Sequence, residues 1–199
     1  MTSARLLIVG PQGSGKGTQG TRISATFGIP EVSTGDVFRA NIKEQTPLGR
    51  QVKAIIDAGD LVPDELTSAV VRDRLSQPDA ANGFLLDGYP RNAAQVADLD
   101  RFLEQHDEAL DVVLELAVPR AISIERIALR AQEQGRSDDT EEVIAHRLSI
   151  YERETAPILE VYRSRGIVAV IDGVGSLDEV EERINAALAE RGIERVAAL

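Results

Sequence analysis

Residues 10–18 read Gly-Pro-Gln-Gly-Ser-Gly-Lys-Gly-Thr, four glycines and one lysine in nine positions. An apolar run (Leu-Leu-Ile-Val, 6–9) precedes them, and a helical pattern opens at Lys16. Glycines at this density let successive backbone N–H groups turn into one concavity, and a helix starting at its rim adds the positive end of its dipole. Lys16 contributes a point charge on a flexible stem. Strand, loop, lysine and helix in this order form a cradle for phosphate oxygens, a more specific signal than a glycine-rich turn alone. The residue after Lys16 is Gly17, and the hydroxyl arrives only at Thr18. Thr18 is therefore assigned to phosphate, with Gly13, Ser14, Gly15, Lys16 and Gly17, and not to a metal.

The other candidate groups are arginines and one aspartate. Only Lys16, Lys43 and Lys53 among the 22 cations are lysines, so position and not residue type has to single out an arginine. Arg126 and Arg130 are spaced i, i+4 and share one helix face. Arg136 follows Gly135, and Arg147 belongs to the next helical pattern. Any one of them alone would read as an exposed cation paired with a surface carboxylate. Asp87 closes an apolar run and is followed by Gly88. A carboxylate at a strand's C-terminal end lies where open α/β sheets bind ligands, although a turn or cap aspartate looks the same in sequence. His106 and His146 lie far apart with no ligand spacing and receive no metal.

These groups need elements to hold them. Residues 5–9, 84–87, 111–116 and 167–172 are near-continuous apolar runs, as strands covered on both faces require. Helical periodicity fills 16–27, 36–43, 48–58, 64–77, 93–104, 120–133, 141–164 (in one or two pieces) and 177–191. Pro63-Asp64 and Ser176, with Glu179 three residues on, read as helix starts. The alternation predicts an α/β fold, a doubly wound parallel sheet of about five strands, with the fifth near 30–33. Residues 33–62 hold two helical stretches with no strand between them and are expected to form a small helical lobe. Residues 131–139 (AQEQGRSDD) lack an apolar anchor and read as an exposed loop. The last residues, 192–199, follow a glycine stop and are expected to be loosely held.

Beyond the phosphate loop, the chain carries Ser33-Thr34-Gly35-Asp36 with Arg39, then Asp57-Ala58-Gly59-Asp60-Leu61-Val62. It continues with Gly83-Phe84-Leu85-Leu86-Asp87-Gly88-Tyr89-Pro90-Arg91 and Gln95. Arg126, Arg130, Arg136, Asp138-Asp139, Arg147 and the Asp172-Gly173 turn complete the series. With these motifs in this order through nearly its whole length, the chain resembles the nucleoside monophosphate kinases, and among them the adenylate kinase family in its short-lid form. It departs from the usual pattern at Gln12, where proline is common, at Val37-Phe38 and at Tyr89.

The resemblance implies transfer of a phosphoryl group from Mg-ATP to AMP, giving two ADP. It implies that Gly13–Thr18, Arg126, Arg130, Gly173 and Gly175 bind ATP. Thr34, Gly35, Arg39, Asp60, Leu61, Val62, Gly88, Tyr89, Pro90, Arg91, Gln95, Arg136 and Arg147 would bind AMP, with Thr34 and Gln95 reading the adenine. Lys16, Arg91, Arg126, Arg130, Arg136 and Arg147 would stabilise the transferring group, and Asp87 would hold Mg²⁺ through water. The implied organisation is a single domain with core 1–32, 63–128 and 140–199, an AMP-binding lobe 33–62 and a short lid 129–139. The lid holds neither cysteine nor histidine, so no zinc site is expected. Two alternatives stay open at this point: a UMP/CMP kinase, often with alanine at the Thr34 position, and a regulatory module that binds nucleotide without transfer.

Composition narrows the remaining classes. With 22 basic and 33 acidic residues in 199, the formal charge is −11, which opposes non-specific binding to nucleic acid or to an anionic membrane. Cysteine is absent, excluding disulfides and thiolate metal sites. The early apolar run is too short for a secretory segment or a membrane span. A cytoplasmic monomer acting on ATP, AMP and ADP is expected.

Overall fold

The computed structural model describes residues 4–134 and 140–196. Five strands, β1 (Ala4–Val9), β2 (Glu31–Ser33), β3 (Gly83–Asp87), β4 (Val112–Ala117) and β5 (Val168–Asp172), form one sheet in the order β2-β3-β1-β4-β5. All four pairings are parallel. Nine α-helices connect them among the described residues: α1 (Lys16–Phe27), α2 (Thr34–Lys43), α3 (Pro47–Asp57), α4 (Asp64–Leu75), α5 (Ala93–Glu104), α6 (Arg120–Gln134), α7 (Glu141–Ile150), α8 (Ile158–Ser164) and α9 (Leu177–Ala189). None is long and apolar enough to cross a membrane.

Alternation along the strands divides the core into two layers. Leu6 and Ile8 of β1, Leu85 of β3 and Leu114 of β4 join Ile23 of α1 and Ile184 of α9. Leu7 and Val9, with Phe84, Leu86 and Val113, face the other way, onto Val71 of α4, Leu99 of α5 and Tyr162 of α8. The strand runs are near-continuously apolar because both faces are covered. The edge strand β5 departs from that expectation. Ala169 and Ile171 are buried, but Val170 is 62% exposed on the other face of this edge strand.

Helices α2 and α3 build a separate cluster of Phe38 and Val52 with Val62, Ile42 and Ile55. It is continuous with Leu66 and Val70 of α4, so residues 33–62 are packed onto the next helix as well. Helix α2 begins at Thr34, two residues before the predicted start, because the Ser33 hydroxyl accepts from the Asp36 N–H and caps it. The capping box at Ser176 and Glu179 forms as predicted.

Three further expectations are corrected. The helix predicted over 120–133 runs one residue further, to Gln134, so residues 131–134 are helical where the loop reading began at 131; residues 135–139 of the predicted lid lie outside the described residues. The tail is held to residue 196: Ile193 is 6% exposed, and the Val196 N–H donates to Thr26 O at 3.1 Å. The 141–164 stretch is three segments, because a π-helical turn, Tyr151–Thr155, separates α7 from α8.

Candidate functional site

In parallel sheets the strand carboxyl ends lie together, and strand order reverses around β1, where the chain first winds toward β2 and β3 and later toward β4 and β5. A cleft of about 840 Å³ opens there. Gly13, Ser14, Gly15, Lys16, Gly17 and Thr18 line it, opposite Arg126, Arg130, Gly173 and Gly175. Asp87, Gly88, Pro90, Arg91, Gly35, Arg39, Leu61 and Arg147 also reach it. A smaller cavity of about 50 Å³ adjoins it, lined by Thr34, Asp60, Val62 and Gln95 with Gly35, Arg39, Leu61, Gly88, Arg91 and Arg147 shared between the two. Residues from 13 to 175 thus converge on one connected space.

The phosphate loop follows β1 directly and hands over to α1 at Lys16. Gly13 has φ +80°, and a Cβ there would run into the Ser123 carbonyl oxygen of α6; only glycine fits both the turn and the approach. The buried Ser14 hydroxyl has no hydrogen-bond partner among the described residues. Lys16 Nζ donates back to Gly10 O at 2.8 Å and Pro11 O at 3.0 Å. Burial, with Arg91, Arg147 and Arg130 in opposition to the helpful Asp87, pushes its ammonium down to about 8. An orphan hydroxyl and a desolvated cation are what an anionic phosphate would satisfy. Arg126 arches over the loop, its guanidinium donating to Ser14 O at 3.3 Å and Gly173 O at 3.0 Å.

Asp87 sits at the end of β3, paired in register with Ile8 two residues before Gly10. A second carboxylate, not singled out in the sequence, stands near it. Glu31 of β2 packs against Gly20 of α1 and accepts from Thr21 Oγ1 at 3.1 Å. Burial first, then Asp87, raises its carboxyl to about 7. Nothing in a three-residue strand predicts which side chain points under α1. No group of three or more His, Asp or Glu side chains is placed to hold a metal among the described residues. One carboxylate beside a phosphate cradle fits a hydrated Mg²⁺ that arrives on a nucleotide.

The second cavity is built by hydrogen bonds between distant side chains. Thr34, 3% exposed, donates to Gly88 O at 3.0 Å. Gly88 has φ +82°, and a Cβ there would lie 2.7 Å from Thr34 Oγ1 and 2.9 Å from Arg91 Nη2. Arg91 Nε donates to the same Gly88 carbonyl at 2.7 Å. Burial, and Arg147 nearby, lower the Arg91 guanidinium to about 10. The π-helical turn contributes Thr155, whose hydroxyl donates to Arg91 O at 2.8 Å; insertions of this kind recur at functional sites but leave no sequence signal.

Three predicted residues need separate report. Tyr89 is 1% exposed, and its side chain turns into the core, where its hydroxyl meets Ser68 Oγ at 2.9 Å. It lines neither cavity. Asp60 faces the second cavity and also receives His146 Nε2 at 2.6 Å, which ties the α3–α4 turn to α7. Arg136 lies outside the described residues, as do Asp138 and Asp139. The two histidines do not meet: His106 hydrogen-bonds Phe102 O.

Known proteins match this arrangement along the chain. The sequence profile of the adenylate kinase family covers residues 8–167. An adenylate kinase of Kocuria rhizophila is 59% identical over 184 residues, spanning 92% of this chain and 98% of the relative. One of Leifsonia xyli subsp. xyli is 57% identical over 188 residues, 94% of each chain. One of Bifidobacterium longum is 54% identical over 180 residues, 90% of this chain and 97% of the relative. With a family profile over residues 8–167 and relatives of 54–59% identity over nine-tenths of its length, the chain belongs to the adenylate kinase family.

Proposed function

We infer that the protein moves the terminal phosphoryl group of Mg-ATP to AMP, giving two ADP, in the cleft above the sheet. The observation that carries this reading is the pair of adjoining cavities that share Arg39, Arg91 and Arg147. A transferring phosphoryl group concentrates negative charge between two nucleotides, so catalysis is mainly positioning and cations. The larger cavity, with its loop and Lys16, takes ATP, and the smaller one, with Thr34 and Gln95, takes AMP.

Residue roles follow from reach and charge. Lys16 and the loop N–H groups hold the outer ATP phosphates, and Arg126 closes over them from α6. Arg39 and Arg91 hold the AMP phosphate, while Arg130 and Arg147, with Arg136, embrace the group in flight. Arginine suits this work because its planar fork binds two phosphate oxygens at once. Thr34 and Gln95 read the adenine edge, and Gly173 with Gly175 pass backbone along the ATP base. Asp87 orients the water shell of Mg²⁺, which when bound offsets phosphate charge. Tyr89 serves by holding the Gly88–Arg91 turn through its buried hydroxyl.

Residues 33–62 act as the acceptor lobe and 129–139 as the lid. Both cavities are lined by this chain's own residues, so a monomer suffices for the reaction, and adenine nucleotides as substrates support a cytoplasmic enzyme. The direct test feeds ADP alone with Mg²⁺ and follows nucleotides by chromatography. Equal amounts of ATP and AMP are expected; hydrolysis to AMP and inorganic phosphate, or no change, would contradict transfer.

A further inference from the structure

Gln95 has one of the most constrained side chains at the site. It is 2% exposed and lines the smaller cavity. Its Oε1 accepts from the Arg91 backbone N–H at 2.8 Å, and its Nε2 donates to Asp64 Oδ1 at 2.7 Å. A backbone N–H can only donate and a carboxylate can only accept, so both partners impose the same orientation on the amide. Asp64 Oδ1 also accepts from Asn92 Nδ2 at 2.9 Å, and Asn92 Oδ1 in turn caps α5 at the Gln95 N–H, 2.9 Å away. One carboxylate at the start of α4 therefore pins two amides at the start of α5.

We propose that Asp64 is a specificity-positioning residue: it locks the Gln95 amide so that the acceptor site takes a 6-aminopurine and refuses a 6-oxopurine. The proposal rests on the reading of Gln95 as the residue that faces the acceptor base. With these two bonds made, the amide retains one N–H and one oxygen lone pair. Adenine offers an amino donor beside a ring-nitrogen acceptor, which complements that pair. Hypoxanthine offers a carbonyl acceptor beside an N–H donor, which requires the amide turned over. A free glutamine turns by rotating its terminal torsion, a soft two-fold rotor. Held by Asp64 it cannot turn without facing N–H against N–H at Arg91 and oxygen against carboxylate. The wrong base leaves buried polar groups unpaired, the condition under which discrimination becomes large.

The experiment compares kcat/KM for AMP and for inosine monophosphate, at saturating Mg-ATP, in the wild type, Asp64→Asn and Gln95→Leu. Asparagine keeps the shape of Asp64 but can present an amino group to the turned amide, so of the two locks only the Arg91 N–H remains. We expect the AMP-to-IMP ratio to fall at least about tenfold in Asp64→Asn, with the KM for ATP unchanged. Loss of structure alone would lower both acceptors together and leave the ratio intact. If Asp64→Asn fails to fold, Asp64→Ser, a residue well suited to a helix start, carries the same expectation. An unchanged ratio in the Asp64 variants alongside a collapsed ratio in Gln95→Leu would overturn the role of Asp64 and leave base reading in place. An unchanged ratio in Gln95→Leu would overturn the base-reading assignment itself.

Discussion

The two halves of the cleft are built by opposite means. The proposed donor half has a local centre: β1, the loop and α1 bring the loop backbone and Lys16 together in one stretch of chain, with Arg126 reaching over it from α6. The acceptor half is assembled from α2, the β3–α5 turn, α4 and the π-helical turn, joined by side-chain bonds such as Thr34 to Gly88, Gln95 to Asp64 and Thr155 to Arg91. A local cradle is fixed by conformation. A distributed one is fixed by mutual hydrogen bonding, so its failures should be graded and confined to the acceptor.

The sharpest break in that comparison is Lys16→Met. Lys16 is half-buried at a helix start and among the described residues hydrogen-bonds loop carbonyls, so its loss should leave the fold standing while removing charge from the transition state. Phosphoryl transfer is expected to fall by about a thousandfold or more, with each factor of ten worth about 1.4 kcal/mol. Steady-state kinetics beside a thermal melt decides it. Activity within about threefold of wild type would end the donor-loop assignment.

On the acceptor side, Thr155→Val removes the hydroxyl that steadies Arg91 without touching the donor loop. A single neutral hydrogen bond contributes about 0.5–1.5 kcal/mol, so kcat/KM for AMP should drop about two- to tenfold. The KM for ATP should stay put. A matching loss on both substrates would show that the halves are not separable in this way.

The smallest effect concerns Glu31, a cost carried under the donor helix. Its folded carboxyl titrates near 7 against an ordinary 4.5, so the native state binds the proton more tightly than the unfolded chain. The penalty is absent below pH about 4.5, grows as pH rises, and is complete above about 7. Glu31→Gln should therefore raise Tm at pH 8 and change it little at pH 4.5. Melting curves at the two pH values test this, and a larger gain at the acid end would reverse the sign of the argument.

This division also explains what the sequence could reveal. The strands at 5–9 and 84–87 and the phosphate loop were legible because burial on two faces and clustered glycines leave direct marks in composition. The shared helix face of Arg126 and Arg130 was legible from their spacing, whereas their proposed role rests on the family resemblance. The locking role of Asp64 was not, since an aspartate at a helix start reads as first-turn charge and its partner is 31 residues away. The π-helical turn and the placement of Glu31 beneath Gly20 depend on packing between elements, which no local period encodes. Tyr89 shows the reverse case: it lies in the motif beside Gly88, yet its side chain packs into the core.

In the proposed reaction the smaller cavity receives AMP and the larger one delivers a phosphoryl group to it. Its most direct test is kcat/KM for AMP, dAMP, GMP, CMP and UMP as acceptors with Mg-ATP as donor. AMP is expected to be preferred over CMP, UMP and GMP by about a hundredfold or more, because the wrong base would leave the remaining hydrogen-bonding groups of Thr34 and Gln95 unmet. Comparable turnover of UMP or CMP would contradict it.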